Sequence, residues 1–247
     1  MLLRRHHKAA GAAVSTLLTG LVSYWKLDES SGNALDAENS NDGTVVGGVT
    51  QGASGKLGTA YSFSGSGQYV DFGDIAALDG ITKLSAFCWI NRGGTLNTSD
   101  AILTKWNYAT QGNFGWQTGN LAGDEMSIFI ATSLTDPGSG CRVDTTNANQ
   151  TTNTFYHVGF VFDGTLSGDS NRLKFYQDGT QLSVSQGAGA VPASLQSPAA
   201  DFLMGRFIGL GRYYPGTIDE VGVWDKALTS SEITELYNSG TGVTHPF

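Results

Sequence analysis

Residues 151–226 restrict the fold more than any other part of the chain. They run TTNTFYHVGFVFDGT, then RLKFYQDGTQLSV, then GTIDEVGVWDKAL. Apolar and polar residues alternate through each piece, the pattern of strands with one buried face. Asp178-Gly179 interrupts the second piece. An Asp-Gly pair suits the positive φ of a two-residue hairpin turn, so Arg172–Gln177 and Gln181–Ser185 are expected to pair. The alternation recurs upstream. LVSYWKLDE sets Trp25 and Leu27 against Tyr24 and Lys26, and KLSAFCWIN sets Phe87 and Trp89 against Ala86 and Cys88. Further strands are expected at Ala60–Phe63, Gln68–Phe72, Ala101–Lys105, Asn113–Gln117, Met126–Ala131, Thr154–Phe162, Asp201–Phe207 and Gly216–Asp225, with a long polar loop over Ser133–Asn153.

One helix is predicted, near the end. Thr229-Ser-Ser-Glu232 is a capping box in which hydroxyl and carboxylate each take the other residue's backbone N–H. Leu228 and Ile233 are spaced for a hydrophobic staple, Leu236 and Tyr237 continue the apolar stripe, and Gly240 closes the element. About a dozen strands and one short helix predict an all-β, two-sheet antiparallel sandwich. No internal repeat or interdomain linker divides the chain, so residues 21–247 read as one domain and residues 1–20 as an arm ahead of it.

Composition agrees with a folded β domain. The 247 residues hold 34 glycines, twice the usual share of ~7%, as many tight turns require. The 12 Phe, 9 Tyr and 5 Trp supply core volume. Formal charge is −8, and the first eight residues, MLLRRHHK, contribute Arg4, Arg5 and Lys8 against no acid. An acidic body of this kind does not wrap a nucleic-acid backbone. No stretch reaches the ~18 apolar residues of a membrane span. Cys88 lies in a strand and Cys141 in a predicted loop; a pair, or a buried thiol plus a loop thiol, are both open. AAGAAVSTLLTG after the basic residues resembles a weak secretory signal, but Gly11, Ser15, Thr16 and Thr19 break its apolar run, and it is read as an anchoring arm.

The series YWKLDESSGNALDAENSNDGT, GKLGTAYSFSGSGQYVDFGD, LSAFCWI, FYHVGFVFDG, LKFYQDG and GTIDEVGVWDKALTSSEI resembles, in that order, the laminin-G-like, concanavalin A-like superfamily. The resemblance spans about residues 21–240 and is most specific in IDEVGVWDKALTSSEI. It implies a two-sheet jelly roll, a fold that serves glycan binding, adhesion, hydrolysis and virion structure alike. It also implies a structural calcium ion, for which Asp28, Asp36, Asn39, Asn41, Asp42 and Asp219 are the oxygen ligands to consider. The same residues make turns and Asx caps without any metal.

Catalytic chemistry is poorly supplied. A jelly-roll glycosidase needs two carboxyl groups converging on one bond. Asp219-Glu220 and Asp124-Glu125 are adjacent pairs, expected on opposite strand faces. His6 and His7 lie in the arm and His245 at the tail, while His157 sits within a strand as a structural residue. Aromatic residues offer the better signal, because sugar rings stack on aromatic faces while polar neighbours read their hydroxyls. Trp106, Tyr108 and Trp116 fall close together in sequence, and Arg212, Tyr213 and Tyr214 form a second cluster; these six are the candidate glycan contacts. Trp116 also alternates as a core residue does.

These observations give two expectations. The first is a non-catalytic structural protein of the type found in bacteriophage virions, at the virion surface as a decoration, fibre or adhesin. It docks on a capsid or tail protein through Leu2, Leu3, Arg4, Arg5, Lys8, Leu17 and Leu18, presents the jelly roll to a host-surface glycan, and assembles as a symmetric homo-oligomer. The second is a secreted bacterial carbohydrate-binding module; a glycoside hydrolase ranks behind both.

Overall fold

A computed structural model describes residues 15–93, 100–107, 111–120, 125–134, 136 and 139–247. Among these, sixteen strands form two eight-stranded sheets and Arg206–Phe207 pairs with Arg212–Tyr213 as a separate ribbon, with antiparallel strand pairings throughout. The first sheet runs Thr180–Gln181, Leu173–Gln177, Phe155–Asp163, Lys83–Arg92, Pro215–Trp224, Thr59–Ser64, Thr50–Ser54, with Leu21–Trp25 also paired to Pro215–Trp224. The second runs Val184–Ala188, Gly140–Thr145, Glu125–Ala131, Gln111–Asn120, Asp100–Asn107, Phe202–Met204, Tyr69–Asp71, Thr44–Val46. Two facing antiparallel sheets and one short C-terminal helix, Ser230–Tyr237, make the expected sandwich.

Alternation explains the layering. Ala86, Cys88, Val158 and Phe160 point from the first sheet into the main core, where they meet Phe114, Trp116, Ile128 and Ile130 of the second. Phe114 and Trp116 place their rings 5.7 and 5.4 Å from that of Phe160, edge to face. The intervening residues of each sheet point outward and build two smaller clusters. On the outer face of the first sheet, Tyr24, Phe87, Val161, Tyr176 and Trp224 are covered by Leu17 and by Leu228, Ile233 and Leu236 around the helix. On the outer face of the second sheet, Ala101, Trp106, Ala131 and Phe207 form a separate apolar group.

The capping box is present: Thr229 accepts from the Glu232 N–H, and Glu232 accepts from the Thr229 N–H at 2.9 Å. Glu232 also receives Lys226 Nζ at 2.6 Å and the Thr16 hydroxyl. Burial alone would raise its pKa; the Lys226 ion pair and the Thr16 and Thr229 hydrogen bonds prevail and hold it down at about 2.

Several expectations are corrected. The Asp178-Gly179 turn forms, with φ of 50° and 74°, but its hairpin is shorter than expected. Beyond the turn, Leu173–Gln177 pairs with Thr180–Gln181 alone, and Val184–Ala188 crosses to the second sheet to pair with Gly140–Thr145. That last strand lies inside the stretch expected to be a loop. Its outer residues are polar, which hid the alternation, but Cys141 and Val143 enter the core. Cys88 and Cys141 are both buried and both free. His157 is a packed structural residue, its ring 5.4 Å from that of Phe87 and 5.1 Å from that of Trp89, and burial lowers its pKa to about 3.

Candidate functional site on the outer face of the second sheet

The strand Gln111–Asn120 organises this site. Phe114 and Trp116 go inward, so Gly115 and Gln117 go outward. A Cβ at Gly112 would lie 2.5 Å from Cε2 of Trp106, and one at Gly115 would lie 2.3 Å from Cε2 of Phe207. Both distances are shorter than real Cβ contacts, so each glycine is where an aromatic ring rests against the strand. Phe207 reaches this position because the Thr104 hydroxyl donates to the Arg206 carbonyl at 2.8 Å, and Ile208 bridges to Asn107. The two rings stand 5.8 Å apart at 48°.

Together with Gln117, Phe129, Leu210 and Arg212, the two rings line a cavity of ≈ 120 Å³. Three of its walls are aromatic. Its polar side chains are those of Trp106, Gln117 and Arg212. Arg212 Nη1 donates to Oε1 of Gln117 at 2.9 Å, which turns the amide nitrogen of Gln117 the other way. Among the described residues, that nitrogen and the indole N–H of Trp106 are buried with no hydrogen-bond partner. An unmade bond on a buried polar group costs about 1–3 kcal/mol. Next to the cavity, Phe129 lies 5.5 Å under the Arg142 guanidinium. Asp144 accepts from Arg142 Nε at 2.8 Å and from the Ser127 hydroxyl at 2.6 Å, forming a polar margin.

Of the six aromatic and arginine residues expected to contact glycan, the structure brings Trp106 and Arg212 together here. Trp116 and Tyr214 are instead buried in the main core, as inward positions of their strands. Tyr213 is half-buried in the ribbon Arg206–Phe207/Arg212–Tyr213, with the Arg206 guanidinium 5.8 Å from its ring. Tyr108 lies outside the described residues. Sequence reasoning missed Gln117, Phe129 and Phe207. The first two were available from alternation, since each lies between inward residues; Phe207 ends the expected strand Asp201–Phe207, which the structure breaks at Gly205, with φ 83°, so that alternation does not carry through to it.

The six residues considered for calcium do not form one coordination shell. Asp36 accepts the N–H groups of Tyr24, Glu38 and Asn41, and Asp42 accepts that of Asp36 at 2.8 Å. Asn39 and Asn41 donate to the Val22 carbonyl and the Ser23 hydroxyl. These four build their own turn. Asp28 and Asp219 serve another loop, accepting the N–H groups of Thr59 and of Lys56 and Leu57. Among the described residues, no three His, Cys, Asp or Glu side chains group as metal ligands. Asp28, Asp36, Asp42 and Asp219 each accept at least one backbone N–H, and Asn39 and Asn41 bond through their amide nitrogens.

For docking, Leu2, Leu3, Arg4, Arg5 and Lys8 lie outside the described residues. Leu17 is fully buried within the domain itself, and Leu18 is 45% exposed. Leu17 is therefore a core residue, not a docking one.

Asp219 and Glu220 share a face, contrary to expectation. A bulge between Asp219 and Gly222, with Glu220 at φ 49°, puts two residues between the inward Ile218 and Val221. Both carboxyl groups then point to the outer side of the first sheet. Glu220 accepts the Tyr24 hydroxyl at 2.6 Å, and that hydroxyl also reaches the Val243 carbonyl at 3.3 Å. Burial raises Asp219 to about 8 and Glu220 to about 7. They are 0% and 4% exposed, so no substrate reaches them. Asp124, of the other adjacent pair, lies outside the described residues.

A two-layer antiparallel β sandwich with an aromatic cavity on one outer face is a jelly-roll architecture. The family model for the concanavalin A-like lectin/glucanases superfamily, of laminin G type, matches residues 64–234, and the chain belongs to that superfamily. Solved structures agree on the fold. Trypanosoma rangeli sialidase with 2,3-difluorosialic acid is 16% identical, with a TM-score of 0.65, covering 98% of this chain and 36% of that one. Domain 4 of AbnA, an extracellular arabinanase from Geobacillus stearothermophilus, in complex with arabinotriose, is 19% identical, with a TM-score of 0.61, covering 87% and 96%. The binding domain of Paraclostridial Mosquitocidal Protein 1 is 12% identical, with a TM-score of 0.67, covering 91% and 53%. This chain thus spans about a third of the sialidase. No curated protein sequence matches it.

Proposed function

We propose that this chain is a non-catalytic carbohydrate-binding domain, held on a larger assembly through its N-terminal segment. The observation that carries the binding role is the cavity at Trp106, Gln117 and Phe207, where three aromatic walls stand beside the Arg212–Gln117 hydrogen bond. Apolar ring faces take the C–H faces of a sugar. The non-catalytic reading is supported by the enclosure of Asp219 and Glu220, the acid pair nearest to a glycosidase arrangement. Titration calorimetry against a panel of oligosaccharides tests the binding role. Binding that Trp106→Ala weakens at least tenfold is expected; saccharide binding indifferent to that change would remove this site.

The assembly we favour is a virion, with a secreted carrier as the alternative. Residues 15–20 pack against the outer face of the first sheet, whereas the cavity opens on the outer face of the second. Attachment and recognition therefore use opposite sides of the sandwich. The basic, leucine-bearing residues 1–8 suit a capsid or tail partner with acidic and apolar surface. A chain lacking residues 1–14 should keep its sugar affinity and lose incorporation into particles; full incorporation removes the docking role.

A further inference from the structure

The atoms that bound the cavity decide what it accepts. Trp106 Nε1 and the amide nitrogen of Gln117 are enclosed within the walls and do not open into it. Arg212, tied to Oε1 of Gln117 at 2.9 Å, places the polar surface on one side. The other walls are carbon: the rings of Trp106, Phe129 and Phe207 and the side chain of Leu210, which pack as one apolar group with Ala101 and Ala131. A water molecule needs about 2–4 polar partners to be held, and this carbon-walled part supplies none. Water there is displaced with a gain in affinity by an apolar group. A hydroxyl put in its place would lose its solvent partners without replacement.

Size narrows the choice. Pockets that enclose a whole small ligand run to ~300–1,000 Å³. This one measures ≈ 120 Å³, so it takes a substituent and leaves the sugar ring at its mouth. Most sugar substituents are hydroxyls. The small apolar ones are methyl groups, borne at C6 by 6-deoxyhexoses and on the acetamido group of N-acetylhexosamines. We infer that this cavity is a methyl pocket, selecting saccharides that carry such a group and seating its methyl against Trp106, Phe129 and Phe207, with the polar edge of the sugar toward Arg212. The inference rests on the carbohydrate-binding reading above and names the ligand class of the same site.

The test is titration calorimetry on the full chain with two matched pairs of probes. L-fucose and L-galactose differ only by a hydroxyl on C6. N,N′-diacetylchitobiose and cellobiose differ by an acetamido group in place of a hydroxyl on each ring. At least one methyl-bearing member should bind at least tenfold more tightly than its partner, the low end of the ~10–200-fold that one methylene is worth in an apolar pocket. The pair that shows the preference tells which methyl is taken. Leu210 lies half-buried in the turn between the two ribbon strands. Leu210→Ser puts a hydroxyl into the apolar wall and should cut that preference to below about threefold with an unchanged melting temperature, since it empties no core site. Equal binding within both pairs, or binding only of saccharides that carry no methyl group, would overturn the methyl assignment and leave the carbohydrate reading standing. If no saccharide binds at all, both readings fail.

Discussion

Trp224 donates its indole N–H to the carbonyl oxygen of Leu17 at 2.7 Å, tying the segment before the first strand to the last strand of the sheet it covers. Leu17 is enclosed by that contact and by the helix. Leu17→Ala should therefore cost about 2–5 kcal/mol, the usual range for emptying a buried leucine site. Urea unfolding should show a lower midpoint at an unchanged slope. A loss below about 0.5 kcal/mol, typical of a surface change, would mean that the segment is not part of the folded unit.

Gly115 is the second position where a single atom should have large effects. Gly115→Ala puts a methyl group where the Phe207 ring lies, 2.3 Å from Cε2. The ring must move, at a cost of about 1–3 kcal/mol for an overpacked site, and the cavity loses a wall. Saccharide affinity should fall at least tenfold while the chain stays folded by circular dichroism. Retained affinity would place the ligand elsewhere.

Glu220 and Asp219 should make the fold less stable as pH rises. Their folded pKa values, about 7 and about 8, lie above the ordinary 4.5 and 3.8 because burial disfavours their charged forms. Their contribution is therefore complete below about pH 4 and is lost as pH rises through 7 to 8. Glu220→Gln keeps an acceptor for the Tyr24 hydroxyl and removes one titration, so melting temperature should depend less on pH between 5 and 8. An unchanged dependence would show that Glu220 titrates normally.

Glu232 should act with the opposite sign. Its pKa, held near 2, lies below the ordinary 4.5. The stability it confers is complete above about pH 4.5 and disappears as pH falls toward 2. Thr229→Ala removes the capping hydroxyl and should cost about 0.5–2 kcal/mol at neutral pH. Glu232→Gln should flatten the acid limb of the stability curve; an acid limb identical to that of the parent chain would assign it to other carboxylates.

The parts of this molecule that sequence revealed are those governed by local rules. The capping box at Thr229 and Glu232 needs only spacing, and the inward set Ala86 and Cys88 needs only alternation. Trp106 and Arg212 were picked out by residue type, and the sheet then brought them together from positions far apart in the chain. Failures came where a rule is overridden by partners. The bulge at Glu220 reverses the alternation that separated it from Asp219. The strand Gly140–Thr145 is polar on its outer side and reads as a loop until Glu125–Ala131 pairs with it. The run from Asp28 to Asp42 has a composition that suits a metal site and Asx turns alike, and its hydrogen bonds show which turns it builds. Trp116 and Tyr214 show the limit of residue type alone, since an aromatic ring serves a core as readily as a surface.

The placement of Leu17 and Trp106 on opposing outer faces has a consequence for valency. On the proposed binding role, a chain held by the segment that carries Leu17 would turn its cavity away from the point of attachment, so neighbouring copies would not compete for orientation. Weak individual contacts then add up across a dense coat, and grip on a cell surface would be set by how many copies are displayed rather than by how tightly any one of them holds.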